Sequence, residues 1–354
     1  MKKRVLIIKM SSMGDVIHTL PALTDAQQAF PHMVFDWVVE PGFAEIPRWH
    51  KAVEEVIPVS LRKWRKHPWQ AFKQGEWQAF IKKLRHVTYD AVIDAQGLVK
   101  SALVTRLAKG PRFGLNRQSA RESMASMLYQ QKVDVVFAQH AVVRMRQIFS
   151  QALGYPYPLA LPDYGIDRTR LASTTFGENT ILFLHGTTWP TKHWPVSYWQ
   201  QLGRLAIQAG FDVLLPWGNE TERLRAEHIK DFSQSARIRV LPKLSLGEIT
   251  SLISRAKGIV AVDTGLGHVC AAMAAPTVSL YGPTNPDLTG AYGPNQHHLR
   301  ANFPCAPCLS RDCLQGQDFA IMPPCFETIP PEKVWHQLLN SMKEYESNQA
   351  NIMG

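Results

Sequence analysis

The sequence predicts an α/β protein made of two doubly wound parallel-sheet domains, and three observations support this. A chain of 354 residues is long for one ordinary core and suits two domains. Short apolar runs rich in Val and Ile alternate with amphipathic stretches, which is typical of parallel strands covered by helices on both faces. This pattern occurs twice, on either side of a Pro- and Tyr-rich stretch at residues 153–169.

The predicted elements follow in chain order. The first half has predicted strands at residues 4–9, 34–40, 53–59 and 90–97, and helical spacing over 15–30 and 77–87. The second half has predicted strands at 179–186, 211–218, 237–242, 257–265 and 276–283, and helices near 195–209, 220–232, 245–255 and 266–275. A closing amphipathic helix begins at the Pro330–Pro331 pair, where proline is well tolerated.

Four segments follow from this pattern. They are an N-terminal domain at 1–160, a linker at 161–178, a C-terminal domain at 179–330, and a helix and tail at 331–354. Parallel sheets bind ligands beyond the carboxyl ends of their strands. The polar motifs below follow strands, so we expect them at one cleft between the two domains.

The charge of the chain predicts anionic partners. The formal net charge is +10, and basic residues concentrate in "LRKWRKHPWQ", residues 61–70. Tryptophan beside lysine and arginine suits a lipid headgroup surface, although a solvated helix face with tryptophan packed beneath it fits equally well. No helix-turn-helix or RNA-binding signature is found, so nucleic acid is not an expected partner.

The N-terminus and the cysteines bear on where the protein works. Lys9 interrupts the apolar run after the basic start, so the segment predicts a buried strand and a cytoplasmic protein rather than a secretory signal. No apolar run approaches the ~20 residues that span a bilayer. In a cytoplasmic protein, clustered cysteines favour free thiols, with a structural zinc site as the alternative. The cluster comprises Cys305, Cys308, Cys313 and Cys325.

The turn after the first strand, "SSMGD", raises one question. It lacks the GxGxxG of a dinucleotide-binding turn, and no GxxxxGK[ST] occurs in the chain, which disfavours a hydride-transferring Rossmann enzyme and a P-loop protein. Asp15 lies where a helix should begin. It is either a helix cap or the group that accepts a proton.

Three turns of the second half predict a nucleotide diphosphate site. "VDTGLGH" places Asp263, Thr264 and Gly265 at a helix N-terminus with His268 one turn later, although an N-cap beside a buried histidine is the plainer interpretation. "HGTTWPTKHWP" offers the hydroxyls of Thr187 and Thr188 and the charge of Lys192.

The third turn is "PWGNETER". It offers Glu222 to a ribose diol, or only to the helix dipole.

Together these stretches resemble the lipopolysaccharide heptosyltransferases of glycosyltransferase family 9. The resemblance rests on "KMSSMGDVIHTLPALTDA", "FDWVVEPGFAEIP", "YDAVIDAQGLVKSAL", "KHWP", "PWG", "LPKLSL" and "VDTGLGH…YGPTNP". It implies the GT-B fold, two Rossmann-like domains facing a central cleft, and an inverting enzyme that needs no cofactor or metal. The implied reaction moves heptose from ADP-L-glycero-D-manno-heptose to a Kdo residue of Kdo-lipid A in the lipopolysaccharide inner core.

The resemblance also implies roles for individual residues. Asp15 corresponds to the catalytic base, and Lys192 to the catalytic lysine that binds the diphosphate. The implied donor site is formed by Thr187, Thr188, Lys192, Glu222, Asp263, Thr264, Gly265 and His268. The implied acceptor site is formed by Ser12, Gly14, Arg62, Lys66 and Arg121.

Two alternatives stay open at this point. The enzyme could add the second core heptose, because the cysteine-bearing loop is more like that of the second-heptose enzymes, whereas the N-terminal half favours the first. In another class, the chain could bind a nucleotide sugar without catalysis.

The resemblance further implies a monomer that is peripheral on the cytoplasmic face of the inner membrane.

Overall fold

A computed structural model describes residues 3–172, 179–233, 235–315 and 319–353 of the chain. They fall into two compact units, Met1–Arg170 and Leu171–Gly354. The predicted domain and linker limits remain predictions, and residues 173–178 of the predicted linker lie outside the described residues. No helix in the described ranges combines the length and the apolar character needed to cross a membrane.

The first unit is built on a parallel sheet. Its strands are β1 (Arg4–Ile8), β2 (Val34–Val39), β3 (Val53–Pro58), β4 (Ala91–Asp94), β5 (Arg112–Leu115) and β6 (Gln131–Val133). They lie in the order β3-β2-β1-β4-β5-β6, and each neighbouring pair is parallel. Strand order reverses between β1 and β4, which makes the carboxyl end of β1 the position where a doubly wound sheet binds ligands.

Helices flank this sheet. They are α1 (Met13–Ile17), α2 (Leu20–Ala29), α3 (Glu45–Arg48), α4 (Leu61–Lys66), α5 (Pro68–Lys73), α6 (Glu76–Leu84), α7 (Val99–Leu107) and α8 (Ala141–Leu153). Strand β1 is apolar on both faces, because Val5, Leu6, Ile7 and Ile8 are all fully buried. Burial on both faces explains why the strand appears in the sequence as an unbroken apolar run rather than an alternating one.

The second unit repeats the same topology. Its strands are β7 (Thr180–Leu184), β8 (Asp212–Leu215), β9 (Ile238–Val240), β10 (Gly258–Val262), β11 (Thr277–Tyr281) and β12 (Gln296–Arg300). Their order is β12-β11-β10-β7-β8-β9, again with parallel neighbours. Its helices are α9 (Val196–Gln208), α10 (Glu220–Lys230), α11 (Leu246–Ile253), α12 (Gly265–Ala272), α13 (Pro286–Thr289) and α14 (Pro331–Met353).

The prediction of two doubly wound parallel sheets is confirmed, and it missed three strands. β5 and β6 are short, at four and three residues, and two of the three residues of β6 are exposed. β12, "QHHLR", is a polar edge strand with no buried position. β6 and β12 are edge strands, which meet a neighbour on one side only and need little apolar surface, and β5 is a four-residue strand next to one, so hydrophobic patterning does not find the three.

One buried ion pair joins two helices of the first unit. Arg146 of α8 donates to both carboxylate oxygens of Asp25 of α2, at 2.6 and 3.1 Å, and also to the carbonyl oxygens of Ala160 and Pro158. Both side chains are almost fully buried. We expect Arg146→Ala to lower the free energy of unfolding of this unit by about 3–5 kcal/mol, because it leaves a buried carboxylate without its partner.

Urea titration of the full chain would measure this loss. The matched control is Arg239→Ala, since Arg239 pairs with Asp212 at 3.2 Å with both side chains more than a third exposed. Such a surface pair adds little to stability. Equal urea unfolding midpoints for the two variants would contradict the expected contribution of the buried ion pair to stability.

Candidate active site

Lys9 and Asp15 occupy the carboxyl end of β1. Lys9 follows the strand and is 5% exposed, and its Nζ donates to the carbonyl oxygen of Ala95 at 2.8 Å. The same Nζ lies 3.4 Å from Oδ1 of Asp15. In the sequence, Lys9 stands out only because it interrupts an apolar run. A lysine directly after a fully buried strand is the signal that could have marked it.

Asp15 also makes the bonds of a helix cap. Its Oδ2 accepts from the backbone N–H of Ser12 at 3.0 Å and from the Ser12 hydroxyl at 2.7 Å. Because Asp15 is the third residue of α1, these bonds resemble a capping box. Its side chain is nevertheless 41% exposed, so the carboxylate still faces solvent. Capping and reaction are therefore compatible at this residue.

The surroundings of Asp15 strengthen its ionised form. Burial by itself raises the pKa of this carboxyl, but the Lys9 ammonium, the two bonds from Ser12 and the charge of His18 together lower the pKa well below its ordinary value. Asp15 is thus a carboxylate throughout the neutral range. It is also a weaker base than a free aspartate, because hydrogen bonds to the charged form disfavour protonation.

Two arginines from other elements act on the same place. Burial lowers the pKa of Arg144 on α8 most, the charge of Asp15 raises it and the charge of Arg121 lowers it, so Asp15 and Arg121 each lie near Arg144. The Arg144 guanidinium stacks on Phe137 at 4.6 Å, and its buried Nε has no hydrogen-bond partner among the described residues. Sequence reasoning named Arg121 and missed Arg144, which lies in an amphipathic helix it had not singled out.

The other predicted acceptor residues lie in this unit too. Arg62, in α4 after β3, lies near the Glu40 carboxyl at the end of β2. Burial raises the pKa of Glu40, and Arg62 offsets part of that rise. Glu40 in turn donates its N–H to the carbonyl of Met10. Lys66 is exposed at the last position of α4, and no described contact joins it to Asp15.

The second unit gathers polar groups at the carboxyl ends of β7, β10 and β11. Lys192 Nζ lies 2.7 Å from Oδ2 of Asp263, with both side chains largely buried. The Thr187 hydroxyl donates to the Asp263 carbonyl at 2.9 Å, and the Thr284 hydroxyl donates to Oδ2 of Asp263 at 2.6 Å. Sequence reasoning brought Thr187, Lys192 and Asp263 together, and the structure adds Thr284 to them.

The ring of Trp189 lies close to two cationic side chains. Lys192 Nζ lies 4.4 Å from the centre of the Trp189 ring, and the Arg311 guanidinium lies 5.3 Å from it. Thr191 donates to the Ser310 carbonyl at 2.7 Å, which fixes the cysteine-bearing loop against the same turn. Arg311 was missed, because that loop was judged by its cysteines alone.

The remaining predicted donor residues lie on two helix N-termini and one exposed turn. Thr264 is the N-cap of α12 without a side-chain capping bond, and Gly265 is the first helical residue. His268 is buried one turn later and acts on His298. Thr188 is exposed. The N–H groups in the first turn of an α-helix have no carbonyl of the helix to bond in the regular pattern, so the start of α12, a helix of eight residues, is suited to a phosphate.

Glu222 closes the same region from α10. Its Oε2 accepts from the Gly218 N–H at 2.8 Å, while its own N–H donates to the Asn219 side chain at 3.0 Å. A Cβ placed on Gly186 would come within 2.7 Å of the Glu222 carboxyl carbon, so the Glu222 carboxylate packs directly against this turn. Asn219 therefore caps α10, and the Glu222 carboxylate lies beside the turn that carries Thr187.

The four clustered cysteines line one cavity of about 120 Å³ in the second unit. Burial, together with the neighbouring Cys305, Cys308 and Cys313, raises the pKa of the Cys325 thiol to about 12. All five cysteines are free thiols. In the stretches that the structure describes, no group of three or more His, Cys, Asp or Glu is placed to hold a metal ion, so the zinc alternative stays a prediction.

The chain matches a known protein family. Residues 77–317 match the family model of glycosyltransferase family 9 (heptosyltransferase). The chain is 52% identical over 345 residues to lipopolysaccharide heptosyltransferase 1 of Pseudomonas aeruginosa, covering 95% of this chain and 97% of that protein. It is 51% identical over 301 residues to the protein of the same name from Escherichia coli, covering 84% and 93%.

A solved structure agrees with the sequence comparison. The E. coli heptosyltransferase WaaC with ADP matches with a TM-score of 0.81 and 50% identity, over 84% of this chain and 93% of that one. The predicted GT-B type of fold is thereby confirmed. This chain is a glycosyltransferase and belongs to glycosyltransferase family 9, the heptosyltransferases.

Proposed function

We propose that this enzyme transfers heptose from ADP-L-glycero-D-manno-heptose to a Kdo residue of Kdo-lipid A, the first heptose of the lipopolysaccharide inner core. The observation that carries the proposal is the identity of 51–52% over most of the chain to proteins named lipopolysaccharide heptosyltransferase 1. The ADP in the matching solved structure supports an ADP-linked donor.

On the acceptor side, Asp15 takes the proton of the attacking Kdo hydroxyl. Its lowered pKa makes it a weak base, so proton transfer lags behind formation of the new bond. Ser12 and Gly14 belong to the same turn as this carboxylate. The cations Arg62, Lys66 and Arg121, with Arg144, supply the positive charge that an acceptor rich in carboxylate and phosphate needs.

On the donor side, the protein stabilises the charge that appears on the departing ADP. Lys192 supplies a compact cation, and the α12 N-terminus at Thr264 and Gly265 supplies N–H donors. The hydroxyls of Thr187 and Thr188 complete the diphosphate seat, Glu222 accepts from the ribose diol, and Asp263 and His268 border the donor. Attack from the face opposite ADP inverts the anomeric carbon.

The proposal includes a cellular setting. A lipid-linked acceptor places the enzyme, as a monomer, on the cytoplasmic face of the inner membrane. The net charge of +10 supports attraction to an anionic lipid surface. Addition of the second core heptose is not favoured, because the relatives at 51–52% identity carry the name heptosyltransferase 1.

The test is to incubate the purified enzyme with ADP-heptose and Kdo-lipid A and to weigh the lipid product. We expect the mass of one added heptose and release of ADP. Lipid that already carries one heptose is the matched control, and we expect it to stay unchanged. Modification of that control alone would replace the first-heptose assignment with the second. ADP-heptose binding without any ADP release would indicate a non-catalytic binding protein.

A further inference from the structure

An aromatic and basic surface extends over helices α4, α5 and α6 of the first unit. Trp69 and Phe72 are 78% and 60% exposed, which is unusual for side chains of this size. They lie three positions apart in α5, so they point to the same side of the helix. We call Trp69, Phe72 and the cations around them the aromatic–basic patch.

The patch is exposed although the layer beneath it is well packed. Trp64 of α4 is buried against Trp77 and Phe80 of α6, with ring centres 5.5 and 5.6 Å apart. Its indole N–H donates to Glu76 at 2.8 Å. Ala71 supplies the inward side of α5 and is 4% exposed. Trp64, Ala71 and Phe80 thus belong to the core cluster that includes strand β1, and Trp69 and Phe72 are not part of that cluster.

Cations surround the two aromatic side chains. Arg65 and Lys66 precede them at the end of α4 and Lys73 follows them at the end of α5, and all three are exposed. Large aromatic rings beside lysine and arginine are the composition that binds the headgroup region of an anionic bilayer. A water-facing protein surface gains nothing from exposing Trp69 and Phe72, whereas a lipid surface covers them.

The patch also begins at the carboxyl ends of the strands, where Asp15 lies. Lys9 follows β1 and Ser60 follows β3, and β1, β2 and β3 are parallel neighbours, so both turns lie at the carboxyl end of the sheet. α4 begins at that end. A surface held against a bilayer there would keep a lipid-linked sugar close to the base.

We propose that Trp69 and Phe72 insert into the headgroup region of an anionic membrane while Arg65, Lys66 and Lys73 contact the lipid phosphates. This inference rests on the proposed function only in that the acceptor is lipid-linked. The patch shares Lys66 with the proposed acceptor cations, whereas Trp69 and Phe72 serve docking alone.

Vesicle co-sedimentation of the full chain tests the proposal. We expect binding to vesicles of phosphatidylcholine with phosphatidylglycerol, little binding to phosphatidylcholine alone, and weakening with salt. Trp69→Ser with Phe72→Ser should lower the partition coefficient on the order of a hundredfold, since burying each large apolar side chain contributes roughly tenfold. Each cation changed to Gln in Arg65→Gln, Lys66→Gln and Lys73→Gln should cost about fivefold.

The matched control is Leu159→Ser with Leu161→Ser, which removes two apolar side chains exposed by 95% and 77% elsewhere in the same unit. We expect it to bind vesicles like the parent protein. An unchanged urea unfolding midpoint of the Trp69 and Phe72 variant would show that the first unit is folded. Equal vesicle binding by the two double variants would overturn the proposal.

Transfer to a delipidated, water-soluble acceptor separates this proposal from the function. We expect the Trp69→Ser and Phe72→Ser variant to glycosylate the soluble acceptor normally and the vesicle-bound acceptor poorly. Loss of transfer to both acceptors in equal measure would assign these residues to the reaction instead of docking. A parent protein that binds vesicles but glycosylates neither acceptor would refute the function and leave the patch standing.

Discussion

The Asp15→Ala and Asp15→Asn variants should each lose about 10²–10⁴-fold in kcat, the usual loss for a positioned base. The structure makes Asp15→Asn the sharper variant. An asparagine oxygen can still accept from the Ser12 N–H and hydroxyl, the two bonds that Asp15 accepts at 3.0 and 2.7 Å. It therefore keeps the helix cap and cannot take the proton.

Initial rates with saturating ADP-heptose measure the loss, and calorimetry with ADP checks that the donor site is intact. Asp167→Asn is the matched control, because Asp167 likewise accepts an N–H and a hydroxyl bond from Thr169 two residues on. We expect that control to be fully active. Near-native kcat in Asp15→Asn would reduce Asp15 to a cap.

The lowered pKa of Asp15 also fixes the sign of the pH response. Burial raises that pKa, but Lys9 and Ser12 outweigh it and hold it below its ordinary value. The ionised form is therefore complete above about pH 4 and is lost only as the pH falls through the lowered pKa. We therefore expect the pH profile of kcat/KM to show no acid limb from Asp15 above that pH. An inflection near neutral pH that is present in the parent enzyme and absent in Asp15→Asn would contradict this.

Hydrophobic patterning predicted the fold because the central strands are buried on both faces. β1 and β10 are almost wholly buried, and both appear as uninterrupted apolar runs. β12 also pairs with a parallel neighbour, but it lies at the edge of its sheet and contains two histidines and an arginine in five residues. Its pairing with β11 comes from register in the folded sheet, and nothing in its own sequence indicates it.

Short motifs predicted those site residues that lie in turns directly after strands. Thr187, Lys192 and Asp263 were found in this way, and the structure places them within hydrogen-bond or ion-pair contact. Arg144 and Arg311 were not found, because one comes from a helix and the other from a loop far along the chain. Contacts of that kind depend on tertiary packing, which a spacing rule cannot express.

Replacing Lys192 by alanine should weaken ADP binding by about 10–100-fold, since a hydrogen bond to a charged group is worth roughly 1.5–3 kcal/mol. It should also lower kcat by about 10²–10³-fold, because charge develops on the diphosphate as ADP leaves. Isothermal calorimetry and steady-state rates measure the two effects. Lys257→Ala is the matched control, since Lys257 pairs with Glu346 at 3.0 Å just before β10, at the opposite end of the strand from Asp263.

Part of the loss in Lys192→Ala should come from Asp263 rather than from the missing lysine. The Asp263 carboxylate lies 2.7 Å from Lys192 and 2.6 Å from the Thr284 hydroxyl, so without Lys192 a largely buried negative charge faces the diphosphate. Adding Asp263→Asn to Lys192→Ala removes that charge, and we expect the double variant to bind ADP more tightly than Lys192→Ala alone. A double variant that binds as weakly as the sum of the single losses would mean that the two groups act independently. An unchanged ADP affinity in Lys192→Ala would remove this lysine from the donor site altogether.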